Sequence, residues 1–117
     1  MKKRILILED QEARQLIFRE LFKDNFVIIM ETARDCIEVL RRFDWDVLFL
    51  DHDLGVDGTG YEVACWLEML PERQPWRIFL HTGNPVGKAK MKQALPEAIE
   101  IDFKDLKRLE DLLKESK

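Results

Sequence analysis

The chain is poor in several features that announce a chemistry. It has two cysteines and two histidines among 117 residues. Cys36 and Cys65 are not in Cys-x-x-Cys spacing, which argues against a zinc ribbon or a dithiol redox pair and leaves two thiols expected inside helices. Long apolar runs are missing too. The basic start Met1-Lys2-Lys3-Arg4 is followed by four apolar residues and then acids, too short for a signal peptide or a membrane span, so a cytoplasmic protein without membrane contact is expected. Excess positive charge is absent: Lys+Arg 19 against Asp+Glu 23 gives a formal net charge of -4, which speaks against a dedicated DNA binder. An anionic partner must then be held locally. No linker, repeat or low-complexity tract interrupts the sequence, and its length leaves a single domain over 1–117, with no room for a second catalytic one.

What is present is a repeated alternation of apolar runs and helical patterns. Ile5-Leu6-Ile7-Leu8, Phe26 to Met30, Val47 to Leu50 and Arg77 to Leu80 read as strands buried in a parallel sheet. Ala98 to Phe103 is a weaker fifth strand, acidic enough for a sheet edge. Between them lie helices marked by Ala13, Leu16, Ile17 and Leu21, by Cys36, Ile37, Leu40 and Phe43, and by Val63, Ala64, Leu67 and Leu70. Asp10 is placed to cap the first helix, Thr59-x-x-Glu62 has the form of a capping box, and Asn84-Pro85 opens a fourth helix. Leu106, Leu109, Leu112 and Leu113 mark a last one. Trp45 and Trp76 precede strands and read as packing, whereas Trp66 falls off its helix's apolar stripe, as an exposed residue would. Five strand-helix units predict a doubly wound α/β fold with a five-stranded parallel sheet in flavodoxin-like order 2-1-3-4-5.

That order makes strands one, three and four neighbours, and such sheets bind ligands at the carboxyl ends of their strands. Glu9-Asp10, Asp51-His52-Asp53 and His81-Thr82 stand at those ends. Converging carboxylates repel one another, so Glu9, Asp10 and Asp51, with Asp53 as a further ligand, call for a cation, and oxygen donors suit Mg²⁺ or Mn²⁺. Each acid also has a plain reading as a cap or a solvated edge residue. Alternation along strand three sets His52 on the side opposite Asp51 unless the loop breaks the extended geometry at once. Thr82-Gly83-Asn84 adds a hydroxyl, an adaptable backbone and a helix N-terminus that favours an anion such as phosphate. With two imidazoles beside metal and phosphate, the set suits phosphoryl chemistry, although either histidine alone is equally at home as a hydrogen-bonded structural residue.

These residues resemble the receiver domain of two-component response regulators: an acidic pair (Glu9-Asp10), a central aspartate (Asp51), a hydroxyl (Thr82) and a lysine (Lys104) after successive strands. The resemblance implies phosphorylation of Asp51, Mg²⁺ at the acidic pair, and Thr82 and Lys104 contacting the phosphoryl group. The sequence departs from that pattern in His52, His81, the loop after Asp51 and Asp105 after Lys104. Through Leu50-Asp51-His52-Asp53-Leu54 and His81-Thr82-Gly83-Asn84-Pro85-Val86-Gly87 with Met91 it resembles a narrower group, the cyclic-phosphate processing receiver-like domains. That resemblance implies a metal-dependent cyclic phosphodiesterase acting on an RNA 2′,3′-cyclic end or a cyclic nucleotide; of His52 and His81 beside Asp51 one would be base and the other acid, with His81 favoured as the acid. Its rivals are a phosphoaspartate receiver switch acting through a separate protein partner, and a degenerate receiver fold serving as an interaction module without chemistry.

Overall fold

The computed structural model describes residues 2–54, 58–106, 108–109 and 113. Five parallel strands, β1 (Arg4–Leu8), β2 (Phe26–Met30), β3 (Val47–Leu50), β4 (Arg77–Leu80) and β5 (Ile99–Glu100), form one sheet in the order β2-β1-β3-β4-β5. The connections are α1 (Glu12–Leu21), α2 (Ala33–Arg42), α3 (Gly60–Met69) and α4 (Pro85–Ala94), with short 3₁₀ turns at Pro71–Arg73 and Phe103–Asp105. The expected doubly wound architecture is thus what the chain adopts. No helix among the described residues is long and apolar enough to cross a membrane.

Alternation sorts the central strands onto two cores. Leu6, Leu8, Leu48, Leu50 and Leu80 pack with Cys36, Leu40, Val63, Leu67 and Met91 from α2, α3 and α4. Ile5, Ile7, Val47, Phe49 and Phe79 pack on the opposite face with Phe18, Phe22, Leu106, Leu109 and Leu113. The parallel register sets Leu8, Leu50 and Leu80 in one row at the carboxyl ends of the strands. The next row, Glu9, Asp51 and His81, continues the odd-numbered side and so turns toward α1.

Several local expectations are corrected. The buried stripe of α1 is not Ala13, Leu16 and Ile17: Leu16 and Ile17 are 60% and 48% exposed, whereas Phe18 and Phe22 are fully enclosed against Phe49. Two overlapping stripes fit the helical period, and the aromatic one buries the larger area. The cap of α1 is Gln11, without a side-chain bond, rather than Asp10. Thr59 does stand at the N-cap of α3, but its hydroxyl makes no capping bond. Phe43 follows α2 and is exposed, Trp66 is half-buried against the core, and β5 is two residues long because the chain turns into a 3₁₀ helix at Phe103. Of the last expected helix, Leu106, Leu109 and Leu113 reach the core, and Leu112 lies outside the described residues.

Candidate functional site

The row beyond the strands places three polar side chains in the interior. Glu9, Asp51 and His81 are each at most 2% exposed, and donor atoms of all three lie within 4.8 Å of one another. The spacing is that of neighbouring strands. Their backbones continue the ladder, with Asp51 N–H donating to the Leu8 carbonyl at 3.2 Å and His81 N–H to that of Leu50 at 3.1 Å. His81 Nε2 is 2.9 Å from Glu9 Oε1, and its ring stands among Phe18, Phe49 and Phe103. Nδ1 of that ring is buried without a hydrogen-bond partner. Glu9 Oε2 accepts the Gln11 N–H at 3.0 Å.

Burial alone would raise both carboxyls, yet they move apart. In Glu9 burial is outweighed by the hydrogen bond with His81, the Gln11 N–H and the positive charge of Arg14, which hold it below the ordinary range. In Asp51 burial prevails and the Glu9 charge adds to it, so the carboxyl is raised, although the Thr82 hydroxyl pulls the other way. A buried carboxylate of raised pKa next to a second buried carboxylate is a donor set with charge to spare. It fits a divalent cation, and the imidazole makes the set a mixed oxygen and nitrogen one.

His52 goes elsewhere. Its ring packs against the first turn of α4, where a methyl group on Gly87 would come within 2.3 Å of Cγ and 2.6 Å of Nδ1. His52 Nδ1 lies 2.9 Å from Asp53 Oδ1, which also accepts from Asn84 Nδ2 at 3.1 Å. The Asn84 N–H donates to Thr82 Oγ1 at 3.1 Å, and the Thr82 hydroxyl draws the Asp51 pKa down. Hydrogen bonds therefore link the half-buried His52 and the exposed Asp53, through Asn84, to Thr82. Asn84 also caps α4 by accepting the Gly87 N–H at 3.0 Å, as its position before Pro85 predicts.

Gly87→Ala is expected to displace the His52 ring. Alanine favours the helix by about 1 kcal/mol, but overpacking costs about 1–3 kcal/mol. The check is the His52 imidazole resonance in NMR alongside the melting temperature, and a shifted resonance with a small change in melting is the expected outcome. Gly60 is constrained more tightly still, since a Cβ there would lie 2.0 Å from the Asp51 carbonyl oxygen. It thereby lets α3 begin against the end of β3.

The remaining expected site residues are placed less centrally. Asp10 is half-buried at the rim and Asp53 is exposed, and neither joins the three close donors. Gly83 is exposed, and a side chain there would meet nothing. Lys104 is exposed on the 3₁₀ turn and makes no hydrogen bond or ion pair among the described residues. Two residues unforeseen from the sequence stand at the site instead: Phe103, beside His81, and Arg14, whose guanidinium lies over the Phe103 ring at 4.9 Å. Arg14 precedes Phe18 and Phe22 at helical spacing, so the aromatic stripe of α1 would have pointed to it.

The sequence matches the family of the cyclic-phosphate processing receiver domain over residues 4–97. The chain belongs to that family. Among curated proteins none matches. Solved structures that resemble this receiver domain include the Mn²⁺-bound form of response regulator Rcp1, with 18% identity over 98% of this chain and 96% of that one and a TM-score of 0.82. The phosphorylated cyanobacterial phytochrome response regulator RcpA has 16% identity, 100% and 98% coverage and a TM-score of 0.86. TrrA from Thermotoga maritima, in complex with Mg²⁺-BeF, has 22% identity, 97% and 98% coverage and a TM-score of 0.73. At these identities the likeness establishes the receiver fold and leaves the chemistry of the crevice to its own residues.

Proposed function

We propose that this receiver domain is a metal-dependent phosphoesterase that opens a cyclic phosphate, an RNA 2′,3′-cyclic end or a cyclic nucleotide. The observation that carries the reading is the His52–Asp53 pair hydrogen-bonded through Asn84 to Thr82, whose hydroxyl acts on the buried Asp51. A carboxylate-oriented imidazole at the mouth suits proton transfer, and a phosphoaspartate switch has no use for one. Glu9 and Asp51 would hold Mg²⁺ or Mn²⁺ with His81 as a third donor; Asp10 is open to a water-mediated contact and Asp53 acts through His52. A bound cation would neutralise charge on the phosphate oxygens. Metal in the neighbours Rcp1 and TrrA supports the choice, and the nitrogen donor favours Mn²⁺ over Mg²⁺.

The bond to Asp53 occupies Nδ1 of His52 and leaves Nε2 to take a proton from water. The water oxygen attacks phosphorus, one ester P–O bond breaks, and the leaving sugar oxygen is protonated from solvent. His81 changes role from the expected acid to a metal donor, because its ring is enclosed beside Glu9 and out of reach of a leaving group. Gly83 and Asn84 shape the rim where the phosphate-bearing ligand enters. The phosphoaspartate reading, with a partner protein as its output, is supported by the action of Thr82 on Asp51 and by the phosphorylated RcpA and the Mg²⁺-BeF complex of TrrA among the neighbours. A soluble, cytoplasmic setting accords with either.

Mn²⁺ is expected to raise the melting temperature, as a ligand of the folded state does, and Asp51→Asn to remove most of that rise. The pH dependence follows from the two carboxyls. The raised Asp51 contributes stability below its unfolded pKa that is lost as pH rises through its folded one, while the lowered Glu9 contributes stability above its unfolded pKa that is lost as pH falls through its folded one. A cation needs Asp51 ionised, so its stabilisation should fade on acidification at a higher pH than an ordinary aspartate would give. Melting unaffected by Mn²⁺ at neutral pH would remove the metal from the account.

A further inference from the structure

One cation stands over the buried acids without being bonded to them. Arg14 Nη1 is 3.7 Å from Glu9 Oε1 and 3.9 Å from Asp51 Oδ2, beyond the roughly 2.7–3.2 Å of an N–H···O bond. Glu9 has other partners, one oxygen facing His81 Nε2 and the other accepting the Gln11 N–H. A guanidinium whose only task was neutralisation would close onto a carboxylate in a two-bond fork. This one rests instead on the Phe103 ring, with its side chain 27% exposed. Among the described residues none of its guanidinium N–H groups makes a hydrogen bond, so its donors remain free beside Glu9 and Asp51.

We propose that Arg14 is the phosphate-binding residue of this domain, donating two N–H groups to two non-bridging oxygens of a phosphate ester while the acids beneath it hold the cation. This rests on the reading that the crevice takes a phosphate ester. Planar, always charged and held over an aromatic ring, the guanidinium is preorganised for a tetrahedral anion. Lys104 is exposed on its turn and, unlike Arg14, is not within ion-pair distance of Glu9 or Asp51.

The test titrates Mn²⁺, and then inorganic phosphate on the Mn²⁺-saturated protein, calorimetrically with the parent, Arg14→Gln and Arg14→Lys. Arg14→Gln should weaken phosphate ~10-fold or more, the scale of charge-assisted hydrogen bonds, while its Mn²⁺ affinity stays equal or rises because a competing cation is gone. Arg14→Lys should restore only part, as a point charge cannot fork. Equal phosphate affinity in the parent and Arg14→Gln, with Mn²⁺ bound in both, overturns the proposal, as does a parent that binds Mn²⁺ and no phosphate. A parent that binds no Mn²⁺ fails the metal reading instead. Phosphate is then titrated without metal, where a weaker Arg14→Gln supports the assignment, and equal affinity or no binding overturns it.

Discussion

His52→Ala is expected to slow cleavage of a 2′,3′-cyclic nucleotide by ~10²-fold or more, the usual scale for a positioned proton transfer, and to leave folding nearly untouched. The ring sits at the surface end of the hydrogen-bonded chain, with its side chain 16% exposed and a single side-chain partner, Asp53. Little core is lost with it. Asp53→Asn should share part of the defect, since the amide can hold the ring but cannot stabilise the imidazolium that forms on proton uptake. A loss confined to kinetics is the signature sought: the rate falls, the melting temperature and the Mn²⁺ response do not. If His52→Ala cleaves as fast as the parent, the dyad is a rim ornament and the proton is taken elsewhere.

His81→Ala should behave in the opposite way. Its ring and the Glu9 carboxylate are fully enclosed and share a 2.9 Å contact, so truncation leaves a buried carboxylate without its main partner as well as a gap among Phe18, Phe49 and Phe103. Breaking a buried pair costs about 3–5 kcal/mol, a large share of the roughly 5–15 kcal/mol that holds a domain together. Chemical denaturation measures it directly. Glu9→Gln with His81→Ala should be milder than the sum of the two single changes, because the second removes the charge stranded by the first. A His81→Ala domain as stable as the parent would mean that the imidazole does not anchor Glu9.

Periodicity decides how much of the fold and site is legible in the sequence. The strands β1 to β4 are legible because continuous apolar runs bounded by polar residues leave little choice, and the shared offset of Glu9, Asp51 and His81 beyond them follows from parallel pairing. Alternation likewise sets His52 away from the buried Asp51, as found. Less legible is α1, where Ala13, Leu16 and Ile17 satisfy the helical period as well as Phe18 and Phe22 do. A stripe built on the smaller side chains turns Arg14 outward and hides it. Treating all the acids as one cluster fails for a related reason: Asp10 is one residue past the row and Asp53 lies beyond the point where the strand ends, so neither keeps the alternation that buries the other two. The expected position of Lys104 depends on a fifth strand six residues long. The strand stops after Glu100, and the turn beyond it presents Phe103 to the site.

The central claim is that the crevice turns over a cyclic phosphate with Asp51 helping to hold a cation rather than accepting a phosphoryl group. It is tested most directly by following 2′,3′-cyclic nucleotide by ³¹P NMR in the presence of Mg²⁺ and the domain. The predicted result is conversion to a phosphomonoester that requires the metal and is lost in His52→Ala, with no acyl phosphate on Asp51 when acetyl phosphate is supplied and the intact mass is measured. A cyclic phosphate signal that persists unchanged, together with rapid and stable phosphorylation of Asp51, would contradict it and make the domain a phosphoaspartate switch.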